Sequence, residues 1–157
     1  MSTSVPVWAF DVDGCLVDSL TGTSLRPGAL EALSRLRERG ATVLLWSAGG
    51  REHAVSRCME LGFAHLIDAV YAKEFRGADG RWSTANLPSE HQPDVFVDDW
   101  PDDAPATARL VGVSPYIAPN PHDRGLAPLL AELTASRLMR PTGSRGAAAP
   151  TARGACR

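Results

Sequence analysis

The chain has only three cysteines, Cys15, Cys58 and Cys156, and no CxxC pair. That leaves neither a disulfide framework nor a cysteine zinc site to be read. Its four histidines, His53, His65, His91 and His122, are scattered without ligand spacing, so no histidine metal centre is expected. No apolar stretch approaches the ~18 residues of a membrane-spanning helix. The opening MSTSVPVW lacks the basic segment and apolar run of a secretory signal. A formal charge of −2 gives no general attraction to nucleic acid or to an anionic membrane. A protein of the reducing cytoplasm, with no membrane partner, is the simplest expectation.

What is present is ordinary in bulk. A length of 157 residues suits one domain, and 44% hydrophobic with 22% charged residues is typical of a globular protein. The charge, however, is unevenly placed. Residues 137–157 carry Arg137, Arg140, Arg145, Arg153 and Arg157 and no acid. With those five set aside, residues 1–136 hold 11 basic and 18 acidic side chains, a net −7. The chain therefore divides into a folded domain, 1–136, and a basic tail, 137–157, whose poverty in large apolar residues reads as disorder.

Val5 to Phe10 is a short apolar run ending in acids, as a buried strand does. Pro27 opens a helix on which Leu30, Leu33 and Leu36 recur and which Gly40 stops. Ala41 to Trp46 is apolar throughout, hence a strand covered on both faces. Ser47, Ala48, Gly49 and Gly50 turn it into a helix from Arg51 to Leu61. Ile67 to Ala72 is a third strand, and residues 74–93, with Trp82 and His91, form a loop or small hairpin placed to overhang a site. Asp94 to Val97 is a fourth strand, followed by a short helix at Ala104 to Leu110, a strand at Val111 to Ile117 and a helix from Asp123 to Ala135. This alternation predicts an α/β fold, mostly a parallel sheet with helices on both faces. The working site of such a sheet lies beyond the carboxyl ends of its strands.

Four strands deliver a reactive or charged group just past that end: Asp11 and Asp13, then Ser47, then Lys73, then Asp98 and Asp99. Parallel strands point these ends the same way, so the groups converge. A crowd of carboxylates in a cleft needs compensating cations to stay ionised. A divalent metal supplies that charge, and hard oxygen ligands favour magnesium, Mg2+. Lys73 adds fixed positive charge, and Ser47 sits beside the free N–H groups of a helix start, a natural phosphate cradle. Simpler roles compete: a turn for Asp11–Gly14, a helix cap for Ser47 or for Asp98 and Asp99, and a solvated surface position for Lys73. Arg51 and His53, just after the glycine pair, stand either at the substrate or on the surface.

The order DVDGCL, Ser47 after a strand, an isolated lysine and then VDD resembles the four motifs of the haloacid dehalogenase superfamily of phosphohydrolases, over about residues 7–117. The resemblance implies a Rossmann-like fold in which Asp11 attacks phosphorus to form an aspartyl-phosphate and Asp13 serves as acid and base. It also implies magnesium bound by the Asp11 carboxylate, the Asp13 carbonyl oxygen and the VDD acids, with Asp99 as direct ligand, Asp98 beside it and Asp103 further out. Ser47, Ala48 and Lys73 would hold the phosphoryl oxygens, with Arg76 the substitute should Lys73 not reach. Cys15 stands where that family usually has threonine, and Glu74 where it has proline. The stretches Gly14–Pro27 and Glu74–Pro93 are too short for the cap domain many relatives carry, so an open site is expected. Capless relatives act on phosphorylated macromolecular ends or on small phosphate esters under a neighbouring subunit, so nucleic acid and a second copy of the chain both stay open as partners. Two other classes compete: a phosphoryl-accepting receiver module, whose acidic pair would precede its acceptor and whose lysine would come last, and a non-catalytic interaction protein on the same fold.

Overall fold

Strand β1, Val7–Phe10, is buried at every position because it lies at the centre of a sheet covered on both faces. The structure, a computed structural model, describes residues 5–138. In chain order the other elements are α1 (Ala29–Glu38), β2 (Thr42–Ser47), α2 (Arg51–Glu60), β3 (Ala69–Ala72), β4 (Val95–Asp98), β5 (Arg109–Gly112) and α3 (Ala127–Leu138). The five strands are all parallel in the order β3-β2-β1-β4-β5, a Rossmann-like α/β arrangement without an evident cap. Among the described residues, no helix is long and apolar enough to cross a membrane. The expected division at residue 136 falls inside α3, and the basic tail beyond Leu138 lies outside the described residues.

Period-two alternation sorts the strand side chains into two cores. Trp8, Phe10, Val43, Leu45, Val95 and Val97 face α1, α2 and α3. Ala9, Leu44, Trp46 and Phe96 face the other way and are covered by Leu87, Trp82 and Ala104. The sheet is thus sandwiched as expected, but unequally. All three α-helices pack on one face, and the helical content on the other is single 3₁₀ turns at Ser89–His91 and Pro101–Asp103.

Several boundaries move from their expected places. Leu30 is 47% exposed, and the buried stripe of α1 is Ala29, Ala32, Leu33 and Leu36. Those positions keep the i, i+3, i+4, i+7 spacing of one helix face, which small alanines fill where the helix lies close to the sheet. The expected helix at 104–110 is absent. Residues 109–112 form a strand instead, with Leu110 beside Phe96 and Val111 beside Val97, and the expected strand ends well short of Ile117. Pairing with the open edge of β4 overrides the weak helical pattern there, and Pro101 and Pro105 shorten the preceding turn. Helix α3 starts at Ala127 and not at Asp123, because Asp123 is engaged elsewhere.

That engagement ties the first loop to the last. The buried Arg26 guanidinium donates to Asp123 (Nε–Oδ1 2.6 Å), to Ser114 Oγ (3.0 Å) and to the Cys15 carbonyl (3.2 Å), and lies over the Tyr116 ring. Asp18, fully buried, closes the 18–24 loop by accepting from the Thr21, Gly22, Thr23 and Ser24 amides and the Thr21 hydroxyl. Removing one partner of a buried ion pair leaves the other unpaired in low dielectric. Arg26→Met is therefore expected to lower the unfolding free energy by about 3 kcal/mol, read from urea denaturation midpoints, with Asp123 the group left uncompensated.

Candidate active site

The chain leaves β1 toward β2 on one side and leaves β4 toward β5 on the other, so a crevice opens between the carboxyl ends of these two central strands. Asp11 is the first residue beyond β1, and its amide still donates to the Val97 carbonyl (2.9 Å). Asp98 ends β4 and Asp99 follows it. Side-chain carboxylate oxygens of Asp11, Asp98 and Asp99 all lie within 4.8 Å of one another. Gly14 makes this approach feasible. Its backbone is left-handed (φ +80°), and a Cβ there would lie 2.4 Å from an Asp99 carboxylate oxygen.

Lys73, one residue past β3, reaches across β2 to the same point. Its Nζ donates to Asp11 Oδ1 (2.8 Å) and Asp98 Oδ2 (3.0 Å), with the side chain only 4% exposed. On the way it passes the Trp46 and Phe96 rings, with Nζ 5.8 and 5.1 Å from their centroids, which holds the ammonium by cation–π attraction. A solvated surface role is excluded by this burial. Arg76, the substitute considered for it, instead forks onto Asp103 (3.0 Å to each oxygen) and stacks over Trp82 at 4.1 Å. Arg76 and Trp82 also form a single antiparallel bridge, the small hairpin of the 74–93 segment. His91 lies away from the crevice, hydrogen-bonded to the Tyr71 hydroxyl.

One ammonium among three carboxylates cannot balance them, and the surplus falls on the titration of the acids. Burial pushes the Asp11 carboxyl up to about 7, opposed by Lys73 and reinforced by the charge of Asp98. Burial, then Asp98, also raises Asp99 above the usual carboxylate range. Burial works against the charged form of Lys73, but Asp11 and Asp98 outweigh it and hold the ammonium above its ordinary value. Asp103 is held low, first by its hydrogen bond from Arg76. The acidic set is of the hard oxygen type that suits a divalent cation such as magnesium.

Asp13 belongs to the same cleft but not to the carboxylate cluster. Its oxygens lie 2.8 and 3.0 Å from Nε2 of His53, in the first turn of α2. This contact was not foreseen, since no motif spacing links residues 40 apart. Ser47 is buried at the end of β2, where its hydroxyl oxygen accepts from the Gly49 amide (3.1 Å) and its carbonyl from the Lys73 amide (2.8 Å). It is not the cap of α2, a place taken by Gly50, and it is Ala48 that reaches the cleft wall. The thiol of Cys15 is buried and donates weakly to the Val97 carbonyl, pinning the first loop to β4 much as a hydroxyl would. Asp98 does cap locally: its Oδ1 accepts from the Trp100 amide at 2.8 Å.

Asp11, Asp13, Ala48, Lys73, Asp98 and Asp99 line a cleft of about 250 Å³ whose outer wall is Arg76, Trp82, Trp100 and Asp103. The Trp100 side chain is 63% exposed at its rim, and no further domain covers it among the described residues.

No known family's sequence profile matches this chain, and no curated protein matches it in sequence. Among solved structures, a chain from the Pnkp1/Rnl/Hen1 RNA repair complex is similar in fold, with a TM-score of 0.52 at 13% identity. The match covers 73% of this chain and 44% of that one, so the present chain spans less than half of its neighbour's length.

Proposed function

We propose that this chain is a capless, magnesium-dependent phosphatase of the haloacid dehalogenase type, hydrolysing a phosphomonoester through an aspartyl-phosphate on Asp11. The observation that carries the reading is the meeting of Asp11, Asp98, Asp99 and Lys73, from three separate strand ends, at the switch point of a parallel sheet. Acids from two strand ends and a lysine from a third, gathered in one crevice with Ala48 on its wall, suit phosphoryl transfer to a carboxylate. Receiver-like acceptance without turnover has no use for Asp13, which lines the cleft two residues from the nucleophile.

Asp98 already accepts from Lys73 and from the Trp100 amide, which leaves Asp11 and Asp99 as the carboxylates with oxygens to offer a cation. When bound there, magnesium would supply the positive charge that the cluster lacks and draw electron density from a phosphoryl oxygen. Asp11 attacks phosphorus, the bond to the ester oxygen breaks, and Asp13 gives that oxygen its proton, releasing the alcohol. Water then attacks the phosphorus of the aspartyl-phosphate, its proton passes to Asp13, and the bond to Asp11 breaks to release phosphate. Splitting one displacement into two in this manner is the advantage of a covalent intermediate. Lys73 holds the attacking carboxylate in place and faces the transferring group with fixed positive charge, an electrostatic contribution made before reaction begins.

The direct test is steady-state release of p-nitrophenol from p-nitrophenyl phosphate with magnesium. Many turnovers per chain are expected, with Asp11→Asn lowering kcat by at least about 10³-fold, since the nucleophile itself is lost. A single stoichiometric labelling without turnover would instead establish the receiver reading, and equal rates in the variant would reject the mechanism.

A second expectation comes from linkage. A carboxyl held near 7 in the fold and near 4 when unfolded binds extra protons in the native state between those values, so metal-free stability falls as pH rises through that window. Asp11→Asn, a neutral mimic of the protonated acid, should match the metal-free wild type near pH 5 in thermal melts and exceed it near pH 8. Magnesium should raise the wild-type melting temperature more at the higher pH than at the lower, where protons compete for the same oxygens.

A further inference from the structure

We infer that His53 is the positioning residue of the proton-transfer step, holding Asp13 for delivery of a proton to the leaving group. The inference rests on the phosphatase reading above and adds a residue that neither the motif order nor the strand-end rule assigns. Asp13 follows β1 in a loop, and a loop carboxylate about one-third exposed (36%) would sample several rotamers unless something held it. His53 is the side chain that holds it. Its Nε2 contacts both oxygens of this cleft-lining carboxylate, at 2.8 and 3.0 Å.

The contact is built into the local fold. His53 is fixed on the first turn of α2, directly after the turn that ends β2, so the imidazole and the cleft wall at Ala48 belong to one rigid unit. Gly49 supplies the space. A Cβ at that position would lie 2.7 Å from Cδ2 of the imidazole, so a side chain there requires the ring to shift from its present place against Asp13. Gly49 is not in the left-handed region, so its lack of a side chain is explained by the ring and not by the backbone. Two residues, one small and one planar, therefore combine to set the direction of a third.

The chemistry follows from which bond needs the proton. An ester with an alkyl leaving group expels a strongly basic alkoxide and requires the Asp13 proton as the P–O bond breaks. A p-nitrophenyl ester expels a weakly basic phenolate that departs without it. A residue that aims the proton donor should matter for the first ester far more than for the second, whereas one that merely supports the fold should affect both alike.

The experiment compares kcat for p-nitrophenyl phosphate and for a simple alkyl phosphate, with magnesium, in wild type, His53→Ala, His53→Gln and Gly49→Ala. His53→Ala should lose about tenfold more on the alkyl ester than on the nitrophenyl ester, and Gly49→Ala, whose methyl displaces the ring, should show the same discrimination. His53→Gln, which keeps an N–H near the position of Nε2, should recover most of the loss on the alkyl ester. Equal falls on both esters, faster turnover of the alkyl ester, or failure of glutamine to rescue would overturn the inference. Absence of turnover in the wild type on both esters would instead overturn the phosphatase reading, so the two failures are distinguishable.

Discussion

Everything at the candidate site depends on an imbalance: three carboxylates share a half-buried crevice with one ammonium. Like charges in low dielectric repel strongly, and burial alone disfavours each ionised form. The fold answers part of this with Lys73, anchored by two carboxylates and two aromatic rings, and with the Trp100 amide on Asp98. The rest shows in the raised titration of Asp11 and Asp99. An acidic cluster short of positive charge in this way is one that could hold a metal ion.

The scaffold holds that imbalance in place by economical means. Because β1 and β4 are neighbours, Asp11 and the Asp98–Asp99 pair need only leave the ladder together to meet. The first loop is then pressed against β4 from both sides of its turn, by the absent side chain of Gly14 beside Asp99 and by the Cys15 thiol on Val97. Arg26, Asp123 and Tyr116 lock the far end of the same loop to the segment after β5. Covering the second sheet face with turns and not helices has a consequence for the cleft. The turns on either side of β4, at 75–94 and 99–103, place Arg76, Trp82 and Trp100 at the rim, a task a regular helix would constrain.

How much of this was readable beforehand divides by the range of the interaction involved. Strands that run from apolar residues straight into acids were visible locally, and the parallel-sheet rule then supplied the convergence of Asp11, Lys73, Asp98 and Asp99. Lys73 carries a further signal in the sequence itself. It is the only lysine in the chain, every other basic side chain except histidine being arginine, and a lone lysine marks a place that wants a compact charge on a flexible stem. The misplaced elements have tertiary causes. Residues 104–110 carry a helical pattern too short to outweigh a free strand edge, and Leu30 could not be told from the core when alanines did the packing. The contact of His53 with Asp13 spans 40 residues and two elements, so no window along the chain contains it.

The charge of the cleft also bears on the order in which it fills. Five acids line it against Lys73 and Arg76, and neither cation is idle: Lys73 serves Asp11 and Asp98, while Arg76 is forked onto Asp103 and stacked on Trp82. A phosphate ester is itself an anion, and in a field of this sign it meets repulsion before any attraction. On the phosphatase reading, the cation must then precede the ester, because only its charge turns the end of the sheet from a place that repels phosphate into one that receives it. On the same reading, that field would oppose a long polyanion laid across the acidic cleft. On that reading a substrate would present one phosphoryl group to the crevice and leave its remainder at the open rim, beside Trp82, Trp100 and the Arg76–Asp103 pair.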